Sequence, residues 1–369
     1  VIPLQVRKYR AAAAAFAAVV TLAGCGLADY YWQGFAGQAQ LLVRARPIED
    51  VLAATDDAKL AERLKRAREI RAFASHELAL PDNASYTRYT DVGRPFVVWN
   101  VFATSAVSLT PRQWCFPVAG CVNYRGYFNE TEAKAEAARL AAQGDDVHIG
   151  GVPAYSTLGW FDDPVLSSFI RYPDTALARL VFHELAHQVV YAKDDTEFNE
   201  SFATAVEEVG VARWIAKQSS KPQHAALLAE QARGDHLRAE FRRLVREARP
   251  KLAAVYATNA SDAEKLAQKQ VVLREMRESY ELAKAGEASL SAFDRWFAGY
   301  EGKGVNNASL MAVGLYDDKV PAFRALLRQA NGDMLVFYAR TRALAAKPRA
   351  ERNRILANLA APQTTASRR

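Results

Sequence analysis

From Tyr31 to Arg44 the apolar and polar positions recur with the rhythm of an amphipathic helix, and Pro47-Ile48-Glu49-Asp50 opens a second helix at a proline suited to a first turn. Asp56-Asp57 starts a longer one, in which Leu60, Leu64, Ala67, Ile70, Phe73 and Ala74 fall at the i, i+3, i+4 spacing of a buried stripe. Pro81-Asp82-Asn83 stops it. The texture then changes: Phe96 to Ala103 is β-branched and aromatic, and so is Val122 to Phe128, which predicts two strands joined by the intervening loop. A helix is expected over Glu130 to Gln143, a short strand over Asp146 to Ile149, and a long helix from Pro173-Asp174. From Glu197 onward the pattern is helical, with interruptions expected at Gly234, Pro250, Gly286, Gly299 to Gly304 and Gly332. The fold class is therefore α+β and predominantly helical. A helical N-terminal subdomain is expected over residues 25–90, a central unit with a small sheet over 91–217 and a helical C-terminal subdomain over 218–369.

Composition narrows the function classes. Half of the residues are hydrophobic and 24% are charged, which excludes intrinsic disorder and fibrous repeats. Three of the net +7 charges are Arg7, Lys8 and Arg10, ahead of any acidic residue, and the remainder is mixed in sign along helical segments. That is a solvated surface rather than a track for phosphates, so no nucleic-acid partner is expected.

Residues 1–24 read as an export signal: a basic stretch, an apolar run from Ala11 to Leu22 too short to span a bilayer, and a small-residue exit. Leu22-Ala23-Gly24-Cys25 resembles the lipobox of bacterial lipoproteins. The resemblance implies that Cys25 is lipidated, that it anchors the chain to a membrane in the cell envelope, and, with Gly26 next to it, that this is the outer membrane on its periplasmic side. In an exported chain, Cys115 and Cys121, with Pro and Gly between them, suggest a disulfide-closed loop.

The chemistry lies in His183-Glu184-Leu185-Ala186-His187, an H-E-x-x-H motif on an otherwise apolar helix. The i, i+4 spacing puts both imidazoles on one helix face, where they can share a tetrahedral zinc, with Glu184 beside the metal's water. A catalytic zinc wants three protein ligands, and Glu200 in Phe198-Asn199-Glu200-Ser201-Phe202 is the expected third, with Glu197 and His224 as alternatives. Thr204 or Glu207, farther along that helix, are expected as hydrogen-bond partners of the imidazoles.

These motifs carry a family resemblance. His183-Glu184-Leu185-Ala186-His187-Gln188 with Asn199-Glu200-Ser201-Phe202-Ala203 is similar to the two ligand helices of gluzincin aminopeptidases. The lipobox, the Cys115 to Phe128 stretch and Lys193 to Ala203 look more closely like a zinc aminopeptidase family of proteobacterial lipoproteins. The resemblance implies a zincin-like metallopeptidase core with His183, His187 and Glu200 on zinc and Glu184 as general base, acting on peptides. Tyr155 and Tyr316 are candidate donors to the developing oxyanion. The twelve residues between His187 and Glu200 are fewer than in the larger aminopeptidases, and the Gly150 to Tyr155 segment lacks their amine-binding Glu. A substrate ammonium would then need Glu207, Glu208, Asp162 or Asp163. An endopeptidase, and a non-catalytic zinc-binding lipoprotein serving as a scaffold or binding module, are the competing readings.

Overall fold

The structure is a computed structural model that describes residues 30–116, 120–154, 156–218, 220–313 and 319–361. Cys25, Tyr155 and Tyr316 lie outside the described residues. Helix α1 covers residues 30–44 and leads through strand β1 (Arg46–Pro47) into α2 (Ile48–Ala54) and α3 (Ala58–Leu78). Helix α3 begins where the Asp57 carboxylate accepts the N–H groups of Lys59 and Leu60, and ends at Ala79 in the left-handed region. Of its predicted stripe, Leu64, Ala67, Ile70 and Ala74 are buried together with Leu78, while Leu60 and Phe73 are half-buried against the same core.

Two small sheets follow. Strand β2 (Arg88–Thr90) pairs with β1, and later with β8 (Val165–Leu166). Strand β3 (Val98–Ser105) is the centre of the other sheet, and β4 (Trp114–Phe116) and β5 (Gly120–Val122) form a separate hairpin in which Cys115 faces Cys121 and is disulfide-bonded to it. Strand β6 (Arg125–Tyr127) and β7 (Asp145–Val152) flank β3 antiparallel, with α4 (Glu130–Ala141) between them in sequence. Trp99, Val101 and Ala103 of β3 bury one sheet face against Ala133, Ala137 and Leu140 of α4. The strand expected over Val122 to Phe128 is thus two strands, broken at Asn123-Tyr124. Its first part pairs within the disulfide hairpin and its second within the β3 sheet, so the chain must turn between them.

The remainder is helical: α5 (Asp174–His187), α6 (Thr196–Ala216), α7 (Lys221–Tyr256), α8 (Asp262–Gly286), α9 (Asp294–Ala298), α10 (Asn307–Val313), α11 (Val320–Gln329), α12 (Met334–Ala345) and α13 (Arg349–Ala360). Helix α7 does not break at Gly234 or Pro250. Those residues cost about 1 and 3 kcal/mol in a helix interior. Against this, Leu244, Val245, Ala248 and Leu252 are buried with Val272, Leu273, Met276 and Tyr280 of α8, each such side chain worth about 1.5–3 kcal/mol when fully buried.

The largest core joins early and late elements of the described residues. Helices α3, α5 and α6 share it with α11, α12 and α13, and Phe198 and Phe202 of α6 meet Phe323 of α11 edge-on. No helix among the described residues is long and apolar enough to cross a membrane.

Candidate metal centre

Helix α5 starts without a side-chain cap, at Pro173, and is fixed instead by its neighbours: Arg63 and Arg66 of α3 bind Asp174, and Glu230 of α7 accepts the Thr175 N–H at 2.7 Å. Helix α6 starts where the Asp195 carboxylate accepts the Phe198 N–H, and that buried carboxylate is held in turn by Arg352 of α13, 2.6 Å away. Asn199 closes the turn between the helices, accepting from the Ala192 N–H at 2.7 Å and donating to its carbonyl at 2.9 Å. From the other side Asp194, at φ 62, accepts the Cys121 N–H at 2.7 Å and so seats the disulfide hairpin on this turn. The two helices approach closely because position 210 is glycine. A Cβ there would lie 2.7 Å from the Phe182 ring and 2.8 Å from Leu78.

This packing carries three ligand-bearing side chains to one point. His183 Nε2 lies 3.2 Å from His187 Nε2 and 3.1 Å from Glu200 Oε2, and His187 Nε2 lies 3.7 Å from Glu200 Oε1. One ligand atom from each of the three lies within 4.8 Å of the others. A tetrahedral ion with bonds of about 2.0–2.1 Å has ligand atoms about 3.3–3.4 Å apart, so the spacing can hold a small metal ion. His183 Nδ1 is 2.9 Å from Glu207 Oε2, and Glu207 is held by Arg179, itself 3.2 Å from Asp235. Glu207 therefore fills the supporting role expected of it or Thr204.

The electrostatics ask for a cation. Burial alone would lower the pKa of His183, but the hydrogen bonds it donates to Glu200 and Glu207 raise it well above the ordinary value. The same burial would raise Glu200, yet the two imidazoles hold it below the usual carboxylate range. His187, pushed down to about 4 by burial, stays neutral and keeps a lone pair for a ligand, while its buried Nδ1 has no partner among the described residues. The donor set thus fits a divalent ion. Glu184, one position beyond His183, is raised to about 7 by burial, with the charges of Glu200, Asp163 and Glu207 adding to the rise and His183 opposing it.

The other expected residues are placed as follows. Glu197 pairs with Lys319 at 2.5 Å and His224 bonds the Ile215 carbonyl, so neither joins the cluster. Glu208 is bound twice by Arg324, and Asp163 accepts from the backbone and hydroxyl of Thr157. Of the four acids considered for an ammonium, only Asp162 lacks a hydrogen-bonded or ion-pair partner among the described residues. Sequence reasoning missed Tyr124 and Tyr191. Both hydroxyls are raised in pKa, chiefly by burial, with the charge of Glu200 adding to the rise. Tyr124 stands in the break between β5 and β6, a position that no periodic pattern marks.

A family profile described as "Putative aminopeptidase" matches residues 29–356. The chain belongs to that aminopeptidase family. The match spans the helices on both sides of the cluster as well as the disulfide hairpin and the β3 sheet. No curated protein and no solved structure gives a significant match.

Proposed function

We propose that this member of the aminopeptidase family is a zinc-dependent hydrolase that removes residues from free N-termini of peptides. The observation that carries the reading is the convergence of His183, His187 and Glu200 beside Glu184. The first three would hold the ion, and bound there it supplies Lewis acidity toward water and the scissile carbonyl. Glu184 accepts the proton of the attacking water and returns it to the leaving amine. Tyr124 and Tyr191 are the hydroxyls that would donate to the carbonyl oxygen as it gains negative charge. Asp162 is the acid left to receive the substrate ammonium. A scaffold role gives no use to a half-buried carboxylate beside the ligands, whose partial desolvation costs stability without an offsetting partner.

Anchoring through a lipidated Cys25 at the outer membrane belongs to the same reading and is supported by the Leu22-Ala23-Gly24-Cys25 motif. Cys25→Ser should release the chain from the membrane fraction, or leave it unprocessed at its N-terminus.

The deciding experiment compares one peptide with a free and with an acetylated N-terminus, with and without a chelator. Cleavage of the free peptide alone, abolished by the chelator and restored by zinc, is expected. Equal rates on both forms would make the enzyme an endopeptidase, and chelator-resistant cleavage would remove the metal from the mechanism.

A further inference from the structure

Residues 156–163 form a loop that is braced internally while it presents two large apolar side chains to solvent. Thr157 donates its N–H and hydroxyl to the buried Asp163 carboxylate, at 2.9 and 2.8 Å, and accepts the Phe161 N–H at 3.1 Å. The Trp160 N–H closes on the Thr157 carbonyl, and the chain reverses through Leu158 and Gly159, at φ 57 and 81. The Asp163 carbonyl receives the Tyr86 N–H at 2.6 Å and fastens the loop's base to the body of the protein. A segment this well tied could have turned its aromatics inward. Instead Trp160 is 73% exposed and Phe161 48%.

The loop's position is defined by helix α5. Gly159 lies against the side chain of Gln188, with a Cβ there 3.6 Å from its Oε1. Gln188 follows Glu184 by four residues and so continues the same face of the chain one turn on. It is pinned by Asn83, which donates to its Oε1 at 2.8 Å, and by Ser85, which accepts from its Nε2 at 3.1 Å. Gln188 also directly follows His187 as the C-terminal cap of α5, so the loop packs on the end of the helix that carries both histidines. Two exposed aromatics on a fixed loop packed against the residue that follows His187 are a surface that stays unfilled until an apolar group arrives.

We infer that Trp160 and Phe161 form a subsite for an apolar side chain of the peptide held at the metal centre. The inference rests on the peptidase reading and adds a substrate class to it: peptides with a large apolar residue next to the cleaved bond. Trp160 supplies most of the contact, being the larger and more exposed ring. Polar or glycine residues gain nothing from it, because they have no apolar area to remove from water.

The test measures binding separately from turnover. The full chain carrying Glu184→Gln, loaded with zinc, is titrated calorimetrically with Phe-Ala-Ala-Ala, Ala-Phe-Ala-Ala and Gly-Ala-Ala-Ala. One of the two Phe peptides is expected to bind about tenfold more tightly than the Gly peptide. Adding Trp160→Ala and Phe161→Ala should abolish that difference, whereas Trp160→Phe should keep most of it, and thermal unfolding should be unchanged because both side chains are exposed. A preference that survives the double substitution overturns the inference, as does equal binding, or no binding, of all three peptides. Hydrolysis by the unsubstituted chain is scored separately, so the peptidase reading stands or falls on its own.

Discussion

His183 and His187 carry the same ring into the same site, yet they are supported differently. His183 is oriented through Nδ1 by Glu207, itself fixed by Arg179, whereas Nδ1 of His187 is buried without a partner among the described residues. Removing Glu207 should therefore loosen the ion through His183. Glu207→Gln is expected to weaken zinc about 10- to 100-fold in competition with a chromogenic chelator, with the fold retained. Glu200→Gln should strip the ion almost completely, and Glu197→Gln, which only breaks the pair with Lys319, should leave about one metal per chain by elemental analysis. The reverse order would move the third ligand to Glu197. Tyr124→Phe should lower kcat about 100-fold at unchanged zinc content if its hydroxyl meets the oxyanion, and a larger loss in Tyr191→Phe would give the role to that residue.

At the scale of elements, the turn between α5 and α6 decides where Glu200 stands, and a buried ion pair secures it. Asp195 caps α6 while bound to Arg352, whose side chain is 5% exposed. Asp195→Asn keeps a capping oxygen and removes the charge, leaving Arg352 buried without its counterion. It should cost about 3–5 kcal/mol in urea unfolding, and adding Arg352→Met should return much of that. A loss below about 1 kcal/mol would show that the cap alone matters.

Much of this element was legible in the sequence. The i, i+4 histidines need only helical geometry to converge, and Asn199-Glu200 announces itself by its place in the next helix. What could not be read is long-range. Nothing in the sequence pairs Asp195 with an arginine 157 residues away. Glu207 and Glu208 are neighbours of the same type, and only packing sends one to His183 and the other to Arg324. The strand break that admits Tyr124 arises because β5 and β6 pair with different partners, and α7 outlasts its Gly and Pro because tertiary burial outweighs local propensity.

At the scale of the whole molecule, stability should depend on pH through buried groups outside the ligand set. His148, on β7 and buried beside Phe102, is pushed down to about 4 by burial. In the unfolded chain it takes up a proton near the ordinary value of about 6.5. Between those values unfolding binds a proton, so stability falls as pH drops from about 7 to about 4, by about 3 kcal/mol, and levels off below. Asp163, raised to about 6 by burial, acts in the opposite sense, since its folded form holds a proton that the unfolded chain releases above about 4. The contribution of His148 is isolated by comparison. Relative to the unsubstituted chain, His148→Leu should lose less of its urea midpoint on going from pH 7 to 4.5, and an identical pH dependence in both would show that His148 makes no such contribution.

The tie between Asp195 and Arg352 also sets an order in time. A chain emerges from its amino end, so the carboxylate that begins the Glu200 helix is made long before the arginine that neutralises it, and the shared core of α6 with α11, α12 and α13 is completed equally late. A nascent chain that has already displayed both histidines still lacks the contacts that hold Glu200 beside them. The site is finished only after α13 has been made, and a chain that stops before α13 is expected to carry all three residues and yet retain little zinc.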